Sequence, residues 1–274
     1  MSSSLSSKLY LVRHLAQHAY DGKIQLPRSR TNILNNFDIC EGKYQCRRVD
    51  QDKEVQSKVK DFVVDNFYST APVPLALELF KDRKVTAYLE DEINEWFHTG
   101  VSFGIFHGDK IIGTSFNFLV EKPTKAADYV SAKEWHNCAA ELVTKQSHHN
   151  PLHAWRHYQL LHWQHFTKHL TDAQDAVFGL HLGTGCLERE YRGKDNITFH
   201  IARHFLTKVQ DQGGVIGDVI TFPASEIFLR GKFPDNAKLV DSVMYKDLNL
   251  TINGKRIFKP LEKLHRMCFF LLVP

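Results

Sequence analysis

Apolar residues recur at strand or helix spacing from residue 44 to residue 272, and this pattern predicts an alternation of the two kinds of element. Alternating or continuous apolar runs predict strands at 44–49, 101–106, 110–120, 177–187, 215–222, 239–245 and 265–272. Apolar residues three or four positions apart predict helices at 53–67, 90–97, 197–212 and 224–230. A further short helix is expected to start at Leu75, after Pro72 and Pro74 have ended the first one. The pattern is typical of an α/β fold.

Two parts of the chain lie outside this alternation. Residues 1–43 are predicted to form a partly irregular N-terminal arm, with a loop over its second half. Residues 121–176 are predicted to form a helical insertion, with helices at 126–146 and 155–170. We therefore expect one domain, 44–273, interrupted by that insertion.

The N-terminal twenty residues contain no acidic side chain, and apolar residues recur there at helical spacing. Such a segment resembles a mitochondrial presequence, and an amphipathic surface arm is the alternative. The five cysteines are widely spaced, odd in number and without CxxC spacing, which argues against a disulfide scaffold or a Cys-rich zinc finger. A reducing compartment fits best, so we expect a cytoplasmic protein, with the mitochondrion as the alternative.

Charge and hydropathy exclude further classes of protein. The 35 basic and 31 acidic residues give a formal net charge of +4, too small and too dispersed for a dedicated nucleic-acid binder. No apolar run approaches the ~20 residues that a membrane-spanning helix needs. The hydrophobic content of 43% is sufficient for a full core.

The predicted insertion is rich in histidine. His162, His165 and His169 share one face of the predicted helix, where imidazoles could bind zinc or copper. No acidic or cysteine ligand is interleaved, and neighbouring aromatic residues favour a packed helix with histidines at its borders. We predict no metal site, and a metal-binding module stays the weaker alternative.

Residues 182–197 combine a strand end, a charged turn and the start of an amphipathic helix. Gly183 and Gly185 weaken a strand unless its backbone bulges or a ligand approaches its edge closely. The first N–H groups of the following helix form an anion site, and three basic residues add positive charge. These residues are Arg189, Arg192 and Lys194. The segment predicts a pocket for a pyrophosphate-bearing cofactor, and an ordinary strand–helix connection is the alternative.

The tripeptide Tyr191-Arg192-Gly193 at this turn resembles the acetyl-CoA loop of the GNAT acetyltransferase superfamily, and the order of the predicted elements matches as well. More narrowly, Phe67-Tyr68 before Pro72 and Lys259-Pro260 before the last strand are similar to invertebrate arylalkylamine N-acetyltransferases. The resemblance covers 44–273. It implies a mixed central sheet flanked by helices, with a helical insertion.

The resemblance implies acetyl-CoA as co-substrate and a small primary amine, plausibly an aromatic one, as acceptor. Backbone at 185–187 would hold the pantetheine and polarise the thioester, and 192–198 would receive the pyrophosphate. The implied cofactor residues are Gly185, Cys186, Leu187, Arg192, Gly193, Lys194, Asp195, Asn196, Ile197 and Thr198. The insertion and 67–79 would form the amine pocket, with Trp96 or Phe97 as an aromatic wall.

The loop departs from the family's R/Q-x-x-G-x-G/A pattern, because Asp195 and Ile197 replace the two small residues. We expect Asp195 to cap the helix and place its carboxylate where the pyrophosphate would lie, unless its side chain turns away. On that expectation, Asp195→Gly would strengthen CoA binding.

The family's proton-transfer groups are also replaced. Ala71 stands where the subgroup has an acid before proline, and Phe228 aligns with the tyrosine that many relatives use to protonate the leaving thiolate. Ser225 is the nearest hydroxyl and the candidate catalytic residue. The expected function is N-acetyl transfer, and the alternative is a GNAT-shaped protein that binds acyl-CoA or a protein partner without turnover.

Overall fold

The computed structural model of the chain describes residues 33–76, 93–94, 96–97, 99–121, 170, 176–220, 223–247, 251–252, 254–256 and 258–273. Its central feature is a sheet of eight strands. The strands are β1 (Phe37–Ile39), β2 (Tyr44–Arg48), β3 (Phe103–His107), β4 (Lys110–Glu121), β5 (Phe178–Leu187), β6 (Gly214–Ile220), β7 (Ala237–Met244) and β10 (Arg266–Leu272). Their order in the sheet is β1-β2-β3-β4-β5-β6-β10-β7. A separate two-stranded ribbon joins β8 (Thr251–Ile252) to β9 (Lys255–Arg256).

All neighbouring strands of the large sheet are antiparallel except β5 and β6. Parallel strands need a crossover between them, and α3 (Ile197–Gln210) supplies it. The other α-helices with described bounds are α1 (Lys53–Val63), α2 (Pro72–Ala76) and α4 (Pro223–Lys232), and a π-helix over Val64–Tyr68 continues α1. The Asp52 carboxylate accepts the N–H groups of Glu54 at 2.8 Å and Val55 at 3.4 Å, so α1 begins with a side-chain cap.

The sheet is covered on both faces. On one face, α1 buries Val55, Val59 and Val63 against Phe116 and the other residues of what we call the α1-side core. On the opposite face, α3 buries its apolar stripe in the α3-side core. That stripe consists of Ile197, Ile201, Ala202, Phe205, Leu206 and Val209. The loop between β5 and α3 is therefore attached at both ends to rigid, buried elements.

These observations confirm the predicted mixed sheet flanked by helices. The loop predicted over the second half of the arm is wrong at Phe37–Ile39, which forms β1 because its backbone pairs with β2 from Tyr44 to Cys46. The second helix begins at Pro72 rather than Leu75, since proline's fixed φ and missing N–H suit the first position of a helix. Residues 1–32, most of the insertion at 121–176, and its histidines lie outside the described residues.

The cysteines, possible metal ligands and helices of the described part of the chain bear on the disulfides, metal sites and membrane-spanning helices that the sequence argued against. Cys40, Cys46, Cys186 and Cys268 are free thiols. Within the described ranges, no group of His, Cys, Asp and Glu has the arrangement of a metal site. None of the helices in these ranges is long and apolar enough to cross a bilayer.

Phe205→Ala should test whether α3 is held mainly by its buried stripe. Phe205 is 1% exposed and packs on Phe37 and Phe103. Removal of a buried ring leaves a cavity, so we expect the free energy of unfolding to fall by about 3–5 kcal/mol in urea denaturation. Lys208→Ala, on the exposed side of the same helix, is the matched control and should change it by less than about 0.5 kcal/mol.

Candidate functional site

The parallel pair β5–β6 separates halfway along β5. Pairing runs from Phe178 opposite Gly214 to Leu182 opposite Asp218. Beyond Leu182, the rest of β5 pairs with β4 and with no other described strand. Alternate residues of this part of β5 bond to β4, and the residues between them direct their backbone N–H and C=O groups to an opening in the middle of the sheet. Such groups need a partner, which water or an extended ligand can supply.

A bulge in β5 marks the point of separation. Phe116 of β4 lies opposite Thr184 and Asn117 lies opposite Leu182, so Gly183 is an extra residue. A side chain at Gly183 would collide with the Trp96 ring, which packs directly on this glycine and stacks on Phe116 at 5.8 Å. Of the two predicted reasons for Gly183, the bulge in the strand is confirmed, and the approach of a ligand stays a prediction.

A buried polar network supports the bulge from β4. Asn117 is fully buried, and its Nδ2 donates to the carbonyls of Val101 at 2.8 Å and Ser115 at 3.2 Å. Its backbone N–H donates to Ser102 Oγ at 3.1 Å, and that hydroxyl donates to the Asn117 carbonyl at 3.2 Å. These bonds satisfy backbone groups of β4 and of the segment just before β3, beside the residue at which the β4–β5 register shifts.

The strand end at 185–187 offers its backbone rather than reactive side chains. Gly185 is exposed and Leu187 packs at the border of the α3-side core. The Cys186 thiol lies 3.3 Å from Thr114 Oγ1, and burial raises its pKa to about 11. Cys186 is therefore a protonated thiol at neutral pH and a poor nucleophile.

After β5 the chain makes a tight turn. Arg192 (φ −67°, ψ 123°) and Gly193 (φ 80°, ψ −10°) have the dihedral angles of a type II turn, whose third position favours glycine. The Arg192 Nε donates to the Leu187 carbonyl at 2.9 Å and ties the turn to the strand end. Arg192 thus holds the loop in shape, and its guanidinium stays exposed at the opening.

Asp195 does not cap α3, which corrects the expectation from the sequence. Its carboxylate accepts the Tyr44 hydroxyl at 2.5 Å and forms an ion pair with Lys43 Nζ at 2.6 Å. The hydrogen bonds from Lys43 and then Tyr44 lower the pKa of Asp195. The side chain has turned toward the β1–β2 hairpin, so its negative charge is neutralised there.

The N-terminus of α3 is consequently open. Its cap residue is Asn196, in the left-handed conformation and with no side-chain capping bond. No acidic residue lies in the first turn. The side chain of Ile197 is buried, whereas Thr198 is exposed. The Ile197 N–H donates to the Lys194 carbonyl, so the anion site consists of the N–H groups that follow it, which receive no side-chain cap, and of the positive dipole end of the helix.

The remaining acids of the loop are paired with a lysine of the β3–β4 hairpin. Lys110 Nζ lies 2.7 Å from carboxylate oxygens of both Glu188 and Glu190. The neighbouring His107 Nδ1 and Tyr191 hydroxyl are 3.1 Å apart. Lys110 therefore compensates the negative charges of Glu188 and Glu190. The basic residues of the same loop are exposed and lie close in sequence to the N-terminus of α3; they are Arg189, Arg192 and Lys194.

Candidate proton-transfer groups lie on separate elements. Ser225 is half-buried in the first turn of α4, and Phe228 packs at the border of the α3-side core. Ala71 precedes α2, where its carbonyl accepts the Leu75 N–H at 3.1 Å. No described contact joins Ser225 to the loop at 188–198, so its role stays a prediction.

Glu226, next to Ser225, belongs to a charged network that the sequence pattern did not suggest. Its carboxylate accepts Arg266 Nη2 at 2.9 Å and Arg230 Nε at 3.0 Å, and the Cys268 thiol lies 3.4 Å away. Burial opposes ionisation, but these hydrogen bonds lower the pKa of Glu226 overall. Glu226 is ionised at neutral pH and cannot serve as a proton donor.

His181 lies on β5 just before the bulge. It is 3% exposed, and its ring packs edge-on against Phe118 at 4.6 Å. Burial lowers its pKa to about 3, and a hydrogen bond to the Gly217 backbone opposes this shift only in part. The imidazole is neutral at physiological pH and contributes to the packing beside the opening.

Comparisons with known proteins establish the fold. No protein-family model matches the chain, and no curated protein matches it significantly. Among solved structures, arylalkylamine N-acetyltransferase 2 from Aedes aegypti is similar with a TM-score of 0.61 and 16% identity, over 84% of this chain and 98% of that one. A putative arylalkylamine N-acetyltransferase 7 from the same mosquito is similar with a TM-score of 0.55 and 15% identity, over 91% of this chain and 97% of that one.

A third similar structure is the polyamine N-acetyltransferase of Drosophila melanogaster, which forms N-acetylagmatine. Its TM-score is 0.54 with 14% identity, over 84% of this chain and 100% of that one. The chain therefore has the GNAT fold, which confirms the resemblance at the level of architecture.

His181→Gln should change how stability depends on pH. The unfolded imidazole takes up a proton below pH 6.5, whereas the buried one stays neutral down to about pH 3. Acidification therefore favours the unfolded state. Between pH 7.5 and pH 5.0 the unaltered protein should lose about 2 kcal/mol of unfolding free energy that the variant retains. Urea denaturation at both pH values measures this, and the other titrating groups cancel in the difference. Parallel pH dependence in the two proteins would contradict the prediction.

Proposed function

We propose that the protein transfers an acetyl group from acetyl-CoA to a small primary amine. The observation that carries this proposal is the opening between β5 and β6, which begins at a bulged glycine and leads to an uncapped helix N-terminus. A long ligand with a hydrogen-bonding arm and a phosphate group fits this combination. The similar structures of known activity are amine N-acetyltransferases, which supports the same general reaction here.

The cofactor would lie along the exposed edge of β5. Along Gly185, Cys186 and Leu187, the backbone groups that bond neither to β4 nor to Arg192 Nε would bond to the amides of the pantetheine in the way a neighbouring strand would. The pyrophosphate would lie against the residues from Arg192 to Thr198, where backbone N–H groups, the helix dipole and basic side chains favour negative charge. The inward turn of Asp195 toward Lys43 removes the like-charge conflict that the sequence suggested.

Acetyl transfer would proceed by direct attack. The neutral amine nitrogen forms a bond to the thioester carbonyl carbon, the C–S bond breaks, the CoA thiolate takes up a proton, and the nitrogen loses one. A backbone N–H near the bulge would stabilise the oxyanion, which is worth ~10²–10³-fold in comparable sites. Alignment of the two reactants supplies further acceleration, whereas a general base adds about 10²–10⁴-fold. A slow enzyme therefore needs no acid at the position of Ala71.

The acceptor would approach from the α1 face, opposite the helix that receives the phosphates. Trp96 lies on that face with its ring on Gly183, at the point where the thioester would end. Phe97 is 4% exposed within the α1-side core, so Trp96 rather than Phe97 is the aromatic wall we assign to the amine site. An aromatic acceptor can stack on this indole.

Isothermal titration with acetyl-CoA tests the cofactor site directly. We expect micromolar binding, also with desulfo-CoA. Lys194→Glu should weaken it about tenfold, because it reverses an exposed charge beside the phosphates. Lys208→Glu makes the same change at the far end of α3 and should leave the affinity unchanged. Absence of binding at millimolar acetyl-CoA would refute the proposal.

A second candidate function is binding of an acyl-CoA or a protein partner without turnover. It is favoured by Ala71 and Phe228 at the positions of the family's proton-transfer groups and by the protonated Cys186. A panel of amines, including tryptamine, dopamine and agmatine, separates the two. Acetylated product at a rate above the uncatalysed reaction supports the enzyme, and tight CoA binding without product supports the binder.

Trp96→Ala should impair use of the aromatic amine more than use of the cofactor. Loss of the stacked indole should raise KM for tryptamine about tenfold while the Kd of acetyl-CoA stays within about twofold. Trp96→Phe keeps an aromatic surface and should recover most of the loss. An equal effect of Trp96→Ala on tryptamine and agmatine would show that the indole does not select aromatic acceptors.

A further inference from the structure

The loop before α3 contains two successive non-glycine residues in the left-handed conformation. Asp195 has φ 49° and ψ 17°, and Asn196 has φ 50° and ψ 35°. This conformation is unfavourable for residues with a Cβ, although Asp and Asn tolerate it better than most. Without an external contact, the chain would leave it easily. The direction of the first turn of α3 depends on these two residues.

The β1–β2 hairpin holds Asp195 from three sides. Tyr44 Oη donates to the carboxylate at 2.5 Å, and Lys43 Nζ lies 2.6 Å from the same oxygen. The Cys40 thiol donates to the backbone carbonyl of Asp195 at 3.4 Å. Tyr44 is 1% exposed, so its hydroxyl is fixed by a ring that the core holds in place. Its ring also packs edge-on against His107 at 5.2 Å and Tyr191 at 6.3 Å.

We propose that Tyr44 and Lys43 are positioning residues that hold Asp195 in its left-handed conformation and so keep the N-terminus of α3 open for the phosphates of the cofactor. This inference rests on the proposed function. We call Tyr44, Lys43 and Asp195 together the Asp195 latch. In this chain, a carboxylate bonded to a rigid strand does what a glycine's conformational freedom does in the family's loop.

The latch reverses the change in acetyl-CoA affinity that the sequence alone predicts for substitutions of Asp195. If the carboxylate merely obstructed the phosphates, Asp195→Ala and Asp195→Gly would both tighten acetyl-CoA binding. If it holds the loop, both weaken binding, and alanine weakens it more. Alanine loses the bonds and also resists a positive φ, whereas glycine loses the bonds but enters that conformation freely.

Amide hydrogen exchange of residues 192–199, measured without acetyl-CoA, tests the latch independently of the cofactor. Tyr44→Phe removes one hydroxyl and keeps the ring, so exchange there should become about tenfold faster. Lys43→Met should act in the same direction by a smaller factor. Lys58→Met is the matched control, because Lys58 forms an exposed ion pair with Glu54 on α1. It should leave exchange at 192–199 unchanged.

Titration with acetyl-CoA then connects the loop to the ligand. We expect Kd to rise about tenfold in Asp195→Ala and Tyr44→Phe and about threefold in Asp195→Gly. In the Asp195→Gly background, Tyr44→Phe should have no further effect, because the hydroxyl no longer has its acceptor. Thermal denaturation of each variant shows whether the fold is intact.

Two results would overturn the latch. One is unchanged exchange at 192–199 in Tyr44→Phe, and the other is binding of acetyl-CoA by Asp195→Ala at least as tight as by the unaltered protein. Faster exchange in the variants together with no acetyl-CoA binding by the unaltered protein would instead overturn the proposed function, so the two failures are distinguishable.

Discussion

The separation of β5 from β6 after Leu182 is the constraint on which the rest of the site depends. A strand in the middle of a sheet cannot leave its backbone groups both unpaired and dry, so this edge must meet water or a ligand. The separation requires the extra residue at Gly183, which must lack a side chain because Trp96 occupies that space. Beside this bulge, the buried amide of Asn117 donates to the carbonyls of Val101, just before β3, and of Ser115 on its own strand.

The charge around the opening depends on which lysine forms an ion pair with each acidic residue of the loop. The acids of the loop are paired with lysines of two hairpins, Lys110 of β3–β4 for Glu188 and Glu190 and Lys43 of β1–β2 for Asp195. No acidic residue lies in the first turn of α3, and the basic residues of the same loop stay exposed, Lys194 with its ammonium over the Tyr191 ring at 5.4 Å. Surface ion pairs contribute little stability individually. Their effect here is to set the direction in which each charge points.

The sheet also divides the proposed reaction between two faces. The phosphates would lie on the α3 face, whereas the acceptor would reach the thioester from the α1 face beside Trp96. Both would meet at the bulge, where the two cores are separated only by the thickness of the strand. Such a site relies on alignment and backbone donors. On the proposed function, the replacement of the acid and the tyrosine that the resemblance implies would lower the rate rather than the affinity.

The sequence by itself determined the order and extent of most elements, because the periods of apolar residues are local properties. Residues 53–67, 177–187 and 197–212 matched observed elements within a few residues, and the glycines at 183 and 185 indicated the opened strand. The pairing of Phe37–Ile39 was missed because a three-residue strand has too short a pattern. Only the tertiary structure decided where Asp195 points, since its partners Lys43 and Tyr44 lie about 150 residues away in sequence. A local rule assigns an acid before a helix to the cap, and a buried tyrosine on a distant strand provides a stronger, charge-assisted hydrogen bond.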